Sequence, residues 1–451
     1  MGTFLYSSND CKGESNFFCK KHLAINGGPR AVTKEPSVMF TWPIVTKEDE
    51  QAVLEVLRRG AMSHTDVTLE LEKEIADWMG MKYALGHCNG TSALLGAMWA
   101  CGVGIGDEVI APSLTFWASL LQALSLGATV NFADCLDDTI CIDPDDIEHR
   151  ISENTKAIIA VHYCGHPAEM DEIMAIAEKH NIKVIEDVSH AQGGMYKGRM
   201  TGTIGHVGAF SMMSGKSLAC GEAGMLVTND REIYERAVAF GFYERTGPKT
   251  EWNKASGQIT IPELKKFSGL PMGGYKYRLN QTASAMCRVQ LKYYPQRIKE
   301  IQKAMNRFWD LLEGTPGIKA HRPPADSGST MAGWYAAKGL YRPEEIGGLD
   351  VEKFCRAVQA EGVDVATPGA NFPLHLHPLF HEADIYGHGK PTVIANAKRD
   401  VRQGPGSLPV SENIPQRCFS IPWFKHDHPE IIEEYAAAFR KVAEHADELA
   451  E

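Results

Sequence analysis

The stretch TKAIIAVHYCGHPAEMDEIMAIAEKHNIKVIEDVSHAQG, residues 155–193, decides the fold. It opens on an apolar run of strand type, passes through MDEIMAIAEKHN with helical spacing, and closes on IKVIED, a second short apolar run. A strand, a helix and a strand in so few residues define a crossover unit, which pairs its strands in parallel. A strand apolar at every position belongs inside a sheet covered on both faces.

The same alternation extends to both sides. Towards the N-terminus, Thr46 caps a helix with Asp49 three residues on, and the helix ends at Gly60. Leu69 to Met79 is helical, Tyr83 to His87 a strand and Ser92 to Cys101 a helix. Glu108 to Ala111 is a strand, Phe116 to Leu126 a helix, and ATVNFAD the next strand. Beyond Arg288 the pattern changes to a long helix from Gln290 to Leu312, mixed strands, a loop-rich stretch from Thr367 to Pro409, and a terminal helix from Pro429 to near Glu448. The expected architecture is α/β: a large unit with a mostly parallel central sheet flanked by helices, followed by a smaller α+β unit. The expected divisions are a mobile N-terminal tail over 1–22, the large α/β domain over 23–288 and a small C-terminal domain over 289–451.

In a parallel sheet, ligands gather beyond the carboxyl ends of the strands, so the residues there carry the functional reading. After the strand ending at His87 comes Asn89-Gly90-Thr91-Ser92 at a helix start. Free backbone N–H groups there can cradle a phosphate, although the same residues make a plain N-cap. Thr115-Phe116-Trp117 follows another strand end, where an aromatic can stack on a flat heterocycle or pack in the core. Asp187, at the end of IKVIED, can pair with a protonated ring nitrogen, and His190 with a phenolic oxygen; a loop-capping carboxylate and a satisfied histidine are the alternatives. Finally, Lys216 lies in GAFSMMSGKSLACGEAGMLVTND among small and apolar neighbours, where a long cation is unusual. Burial would lower its pKa and free the amine to attack an aldehyde, whereas a lysine at the surface would snorkel to water. Together a phosphate cradle, a stacking aromatic, an aspartate and a buried amine are the parts that pyridoxal phosphate needs.

From Leu23 onward, the segments LAINGGPRAV, NGTSAL, TFWAS, VHYCGHPAEMDEI, IEDVSHAQG, FSMMSGKSLACGEAGMLVTND and GGYKYRLNQTASAMCRVQL resemble, in order and spacing, the DegT/StrS-type sugar aminotransferases. These are fold type I enzymes of the aspartate aminotransferase superfamily. The resemblance implies that Lys216 is the Schiff-base lysine and general base, that Asp187 faces the pyridine nitrogen, that Phe116 stacks on the ring and that His190 lies near the phenolic oxygen. It further implies phosphate contacts from Gly90, Thr91, Ser92 and Ser211. The GYKYR segment would reach into a neighbouring subunit's site, implying a homodimer with shared active sites, with Lys276 a cofactor contact and Arg278 a substrate contact. His375 would lie near the substrate mouth. Lys276 stands where many members have Asn, and Ala223 where Gly is commoner. FSMMSGK is closer to the form in members acting on inososes than to that in nucleotide-sugar enzymes. The amino donor implied is L-glutamate or L-glutamine, and the acceptor a nucleotide-linked keto-sugar or a keto-cyclitol. The loop around Tyr243 to Lys254 is a further place for acceptor contacts.

Composition narrows the classes. The formal charge is -11, from 57 acidic against 46 basic side chains, a balance that gives no support to a nucleic-acid-binding surface, although a few local cations can still hold an anionic small molecule. No apolar run approaches the roughly 18 residues of a membrane span. The N-terminus reads neither as a signal peptide nor as a myristoylation site. Eleven scattered cysteines form no disulfide framework and suit a reducing, cytoplasmic setting. The cluster His162, Cys164, His166 fits no standard zinc spacing, so no metal is expected. Two alternatives stand beside the aminotransferase: a dehydratase-type enzyme of the same family, whose best-known branch has His in place of the lysine, and a non-catalytic regulatory protein that binds the cofactor.

Overall fold

The computed structural model describes residues 22–247 and 257–449. Residues 1–21 of the expected tail and the part of the Tyr243 to Lys254 loop from residue 248 onward lie outside the described residues. Seven strands make the main sheet: β1 (Tyr83–His87), β2 (Glu108–Pro112), β3 (Thr129–Ala133), β4 (Thr155–Val161), β5 (Lys183–Asp187), β8 (Val207–Ser211) and β9 (Gly224–Thr228). A small hairpin of β6 (Met195–Tyr196) and β7 (Arg199–Met200) stands apart from it. The spatial order is β1-β9-β8-β5-β4-β2-β3, and β9 runs antiparallel to both its neighbours while the others run parallel. Val109, Ile110, Ile158, Ile159, Val184 and Ile185 are fully buried, as all-apolar central strands require. The register Val161↔Asp187 and Asp187↔Ala209 aligns the carboxyl ends of β4, β5 and β8 at one edge.

The C-terminal part holds a three-stranded antiparallel sheet of β10 (Ile318–Ala320), β11 (Lys338–Tyr341) and β12 (Cys418–Ser420). Helices Val351–Ala360 and Pro429–Glu444 belong to the same aromatic core, built on Phe308, Phe354, Phe419, Phe424 and Phe439. Leu23 and Met39 bury themselves in that core, so the N-terminal segment packs with the far end of the chain.

Two elements depart from the sequence expectations. The long helix runs Gln281–Leu311 and begins nine residues before Gln290, so it passes through the boundary expected at 288. Asn280 caps it by accepting the Ala283 amide at 2.9 Å, and Gln281 is held by the Thr68 amide at 2.8 Å; both interactions are tertiary or local details that periodicity does not register. The helix expected over Phe116 to Leu126 is a 3₁₀ turn, Trp117–Ser119, followed by a short helix, Gln122–Ser125. The Thr115 and Ser119 hydroxyls bond each other at 2.7 Å and tighten the chain there. Among the described residues, no helix is long and apolar enough to cross a membrane.

One buried ion pair steadies the approach to the cradle. Glu72 accepts the Gly86 amide at 2.6 Å within β1 and receives both Arg245 Nη2 at 2.5 Å and Nη1 at 2.8 Å. Both side chains are almost wholly buried. Arg245→Ala would leave a carboxylate buried without its cation, so it is expected to cost about 3–5 kcal/mol of unfolding free energy in urea melts. Joint replacement by Glu72→Gln and Arg245→Met should cost less.

Candidate active site

The carboxyl ends of the strands converge on a cavity of about 360 Å³, whose walls include Asn89, Gly90, Thr91, Thr115, Phe116, Asp187, Ser189, His190, Ser211, Lys216, Tyr335 and Asn371. A wider groove of about 720 Å³ lies elsewhere, along the helices Lys47–Arg58, Asp66–Met79 and Gln281–Leu311. There Arg59, Arg288 and Lys292 are already neutralised by Asp66, Glu74 and Glu48, so it presents no unpaired chemistry of that kind.

The rim at Asn89 is a helix start whose side chains satisfy one another. Asn89 Oδ1 accepts the Ser92 amide at 2.8 Å, and Ser92 Oγ donates to the Asn89 carbonyl at 2.8 Å. Ser92 is therefore part of the cap and not of the cavity wall. The cap leaves the amides of Gly90 and Thr91 and the Thr91 hydroxyl for a ligand. Close approach makes this rim. A Cβ on Gly90 would lie 2.7 Å from Ser211 Cβ, and one on Gly224 would lie 2.2 Å from the Asn89 carbonyl oxygen.

Alternation along β5 separates two adjacent carboxylates. Glu186 is fully buried and takes the His162 Nε2–H at 2.9 Å together with the amides of Gly202, Ile204 and Gly205. Burial acts to raise its pKa, but the His162 bond and these amides outweigh it and hold the carboxyl below its usual range. Asp187 lines the cavity instead, with Ser119 Oγ donating to Oδ2 at 2.7 Å and the Ser189 amide to Oδ1 at 3.0 Å. The broken helix after Phe116 thus has a use, since it brings Ser119 onto Asp187.

Lys216 sits in the turn between β8 and β9, with its side chain only 8 % exposed. Its carbonyl is held by Trp42 Nε1 at 2.8 Å, and its ammonium lies 4.0 Å from the centre of the Tyr335 ring. Among the described residues it forms no ion pair. Burial pushes the amine down to about 8, with the negative charge of Asp187 opposing the shift. His190 is pushed well below the usual histidine range by burial and by the charge of Lys216.

Gly90, Thr91, Phe116, Asp187, His190, Ser211 and Lys216 are therefore brought together by the fold. Phe116 is half-exposed at 48 %. Lys276, Arg278 and His375 do not reach this chain's own cavity wall. Lys276 is exposed, and Arg278 bridges to His87, beside the Cys88 amide that donates to the Tyr277 carbonyl at 2.8 Å. His375 is a brace. Its Nδ1 bonds Ser113 Oγ at 2.7 Å and its Nε2 bonds Glu412 at 3.1 Å, and both Ser113 and His375 are buried. The order Ser–His–Glu looks like a hydrolytic triad, but a serine with no exposed surface has no substrate to attack. Sequence reasoning missed Ser119, Tyr335 and Asn371. The adjacent Thr115 hinted at Ser119, whereas Tyr335 and Asn371 lie in irregular chain that carries no periodic signal.

This site, at the carboxyl edge of a mostly parallel sheet with a buried lysine and an aspartate, is of the kind found in type I aminotransferases. Residues 43–440 match the DegT/DnrJ/EryC1/StrS aminotransferase family, and the chain belongs to it. Among curated proteins it is 29% identical over 408 residues to the spore coat polysaccharide biosynthesis protein SpsC of Bacillus subtilis, covering 90% of this chain and 97% of that one. It is 30% identical over 442 residues to the L-glutamine:2-deoxy-scyllo-inosose aminotransferase of Streptoalloteichus tenebrarius, covering 95% and 99%. Its fold matches the crystallographic structure of the aminotransferase from Psychrobacter cryohalolentis with a TM-score of 0.75 at 27% identity, over 91% of this chain and 99% of that one.

The buried amine should be visible in stability. Between about pH 8 and 10.5 the unfolded chain binds a proton at Lys216 that the folded chain has released, so stability rises with pH across this window. Lys216→Met is expected to stabilise the cofactor-free protein by roughly 3 kcal/mol near pH 7, and by less than about 1 kcal/mol near pH 10. Urea unfolding of both proteins at the two pH values checks the sign and the convergence.

Proposed function

We propose that the chain is a pyridoxal-phosphate-dependent aminotransferase that moves nitrogen from L-glutamate or L-glutamine to a keto-sugar or a keto-cyclitol. The observation that carries the reading is the buried amine of Lys216, without an ion-pair partner among the described residues, in one cavity with Asp187 and an open helix start. The residues fit the cofactor part by part. The Gly90 and Thr91 amides, the Thr91 hydroxyl and Ser211 suit a phosphate, Asp187 suits a protonated ring nitrogen, and Phe116 offers a face to the ring.

When bound, pyridoxal phosphate supplies an electron sink for the charge left when a donor's α-proton is removed. Lys216 would hold it through Nζ and, once released, would carry the proton. An amine at about 8 is partly neutral at working pH and can both take and return a proton. Asp187 accepts from two donors that suit a carboxylate, Ser119 Oγ and the Ser189 amide. Tyr335 covers the amine and excludes water from one side.

In this reading the protein is a homodimer with shared active sites. The exposed Phe116 at the cavity with the exposed Trp117 packed against it, and Lys276 and Arg278 outside their own chain's cavity wall, support a second copy completing the site. Free thiols at every described cysteine support a reducing, cytoplasmic setting. A dehydratase-type activity and a non-catalytic role are disfavoured by the presence of both Lys216 and Asp187.

Purified protein given pyridoxal phosphate should develop a visible absorption band that Lys216→Ala abolishes. L-glutamate and L-glutamine, added separately, should bleach it and release a 2-oxo acid, which identifies the donor. The amine-charged enzyme is then offered keto-sugar nucleotides and scyllo-inosose. Absence of the band would overturn the reading, and a band indifferent to both donors would overturn the proposed donor class.

A further inference from the structure

The HYCGH segment after β4 fits no metal site, and the structure shows that both of its histidines are engaged. His162 Nδ1 accepts the Ala168 amide at 3.0 Å while its Nε2 donates to Glu186, and His166 Nδ1 donates to the Pro167 carbonyl at 2.9 Å. Between them the chain turns tightly. Cys164 has φ 51° and ψ 22°, the left-handed conformation that residues other than glycine seldom adopt, and Gly165 follows at φ 92°. Such strain persists where the surroundings impose it. The Cys164 thiol does not account for it, being fully buried with its pKa pushed up to about 11 by burial.

What the turn delivers is three contacts to the cavity wall. The Cys164 amide donates to His190 Nδ1 at 3.2 Å. The Tyr163 hydroxyl donates to Asn371 Oδ1 at 2.5 Å and accepts the Asn371 amide at 3.1 Å. At Gly165 a Cβ would come within 3.2 Å of the Met331 carbonyl and 3.4 Å of the His190 carbonyl, so the chain passes closely under the segment leading to Tyr335. Ala332, Trp334 and Ala336 in that segment are also left-handed.

We propose that the Tyr163–Gly165 turn is a positioning element of the active site, and that the Cys164 amide, by occupying Nδ1, fixes His190 as the neutral tautomer with its proton on Nε2. A proton on Nδ1 would meet the Cys164 N–H head to head, so both the other tautomer and the imidazolium are disfavoured. The groups around the ring agree. Tyr163 and Tyr335 stand at 5.8 and 4.8 Å between ring centres, the Lys216 ammonium repels a second cation, and no carboxylate among the described residues is bonded to the imidazole. Nε2 has no protein partner among the described residues, and the ring lines the cavity. His190 thus presents a hydrogen-bond donor and no base to whatever oxygen is bound there, and proton transfer is left to Lys216 Nζ. The tautomer assignment is independent of the proposed function; only its use in catalysis rests on that reading.

The test is ¹⁵N NMR of ring-labelled histidine in the cofactor-free protein, with His190 assigned by difference against His190→Gln. The expected result is an unprotonated Nδ1 and a protonated Nε2, with no titration between roughly pH 5.5 and 8.5. Cys164→Gly, which accepts the left-handed turn, should preserve this state, and Cys164→Val should mix the tautomers. In the loaded enzyme, Cys164→Val should slow the first half-reaction by about tenfold or more with His190 present, and by less than about threefold in a His190→Gln background. A wild-type ring protonated at Nδ1, or titrating in the ordinary histidine range, would overturn the tautomer assignment; equal losses in the two backgrounds would overturn the coupling. Should Cys164→Val fail to fold, the wild-type spectrum and Cys164→Gly still decide.

Discussion

A lysine amine stays partly uncharged near neutral pH only when it is buried without a carboxylate bonded to it, and the structure is arranged in this way around Lys216. Water alone would leave it at the ordinary lysine value, and a full ion pair would raise it further. The fold avoids both outcomes. Asp187 shares the cavity, but its oxygens are occupied by Ser119 Oγ and the Ser189 amide, so its charge acts at a distance instead of through a bond to Nζ. Trp42 fixes the Lys216 backbone, and Tyr335 closes over the ammonium.

Those two aromatics come from opposite ends of the chain. Trp42 belongs to the N-terminal segment, whose Leu23 and Met39 lie in the core of the C-terminal part, and Tyr335 lies just before β11 in that same part. Trp42 and Trp423 meet at a tilt with ring centres 5.5 Å apart, and Trp423 Nε1 donates to the Gly333 carbonyl at 2.7 Å. Burial of the Lys216 amine is thus a product of how the small antiparallel sheet is seated against the large one. The left-handed residues at 332, 334 and 336 mark where the chain bends to achieve it.

The far side of the main sheet shows the same economy. Its edge strand β3 is covered by the segment after His375, where the Gln403 side chain accepts the Phe132 amide at 3.0 Å and donates to the Phe132 carbonyl at 2.8 Å, in the manner of one more paired residue. Arg399 forks onto Glu108, and Ser411 binds Asp134. A covered edge cannot recruit another strand. His375 serves this covering, which explains why a histidine in a segment resembling a substrate loop is wholly buried.

Local pattern by itself determined the α/β alternation, most strand positions, the helix starts at Thr46 and Asn89, and the polar groups lying beyond strand ends. These follow from periodicity and capping, which are written in neighbouring residues. That is why Asp187, Lys216 and the Asn89–Thr91 rim were legible as a set. Only the tertiary structure decided that a broken turn bearing Ser119, and not a longer helix, would follow Phe116, that Glu186 would be buried beside a cavity-lining Asp187, and that Tyr335 and Asn371 would converge on one cavity with the Cys164 amide behind His190. Apart from the local Thr115–Ser119 bond, those outcomes rest on contacts between residues some 24 to 208 positions apart, such as His162–Glu186 and Tyr163–Asn371, and a hydrogen bond at such separations leaves no repeating trace in the chain.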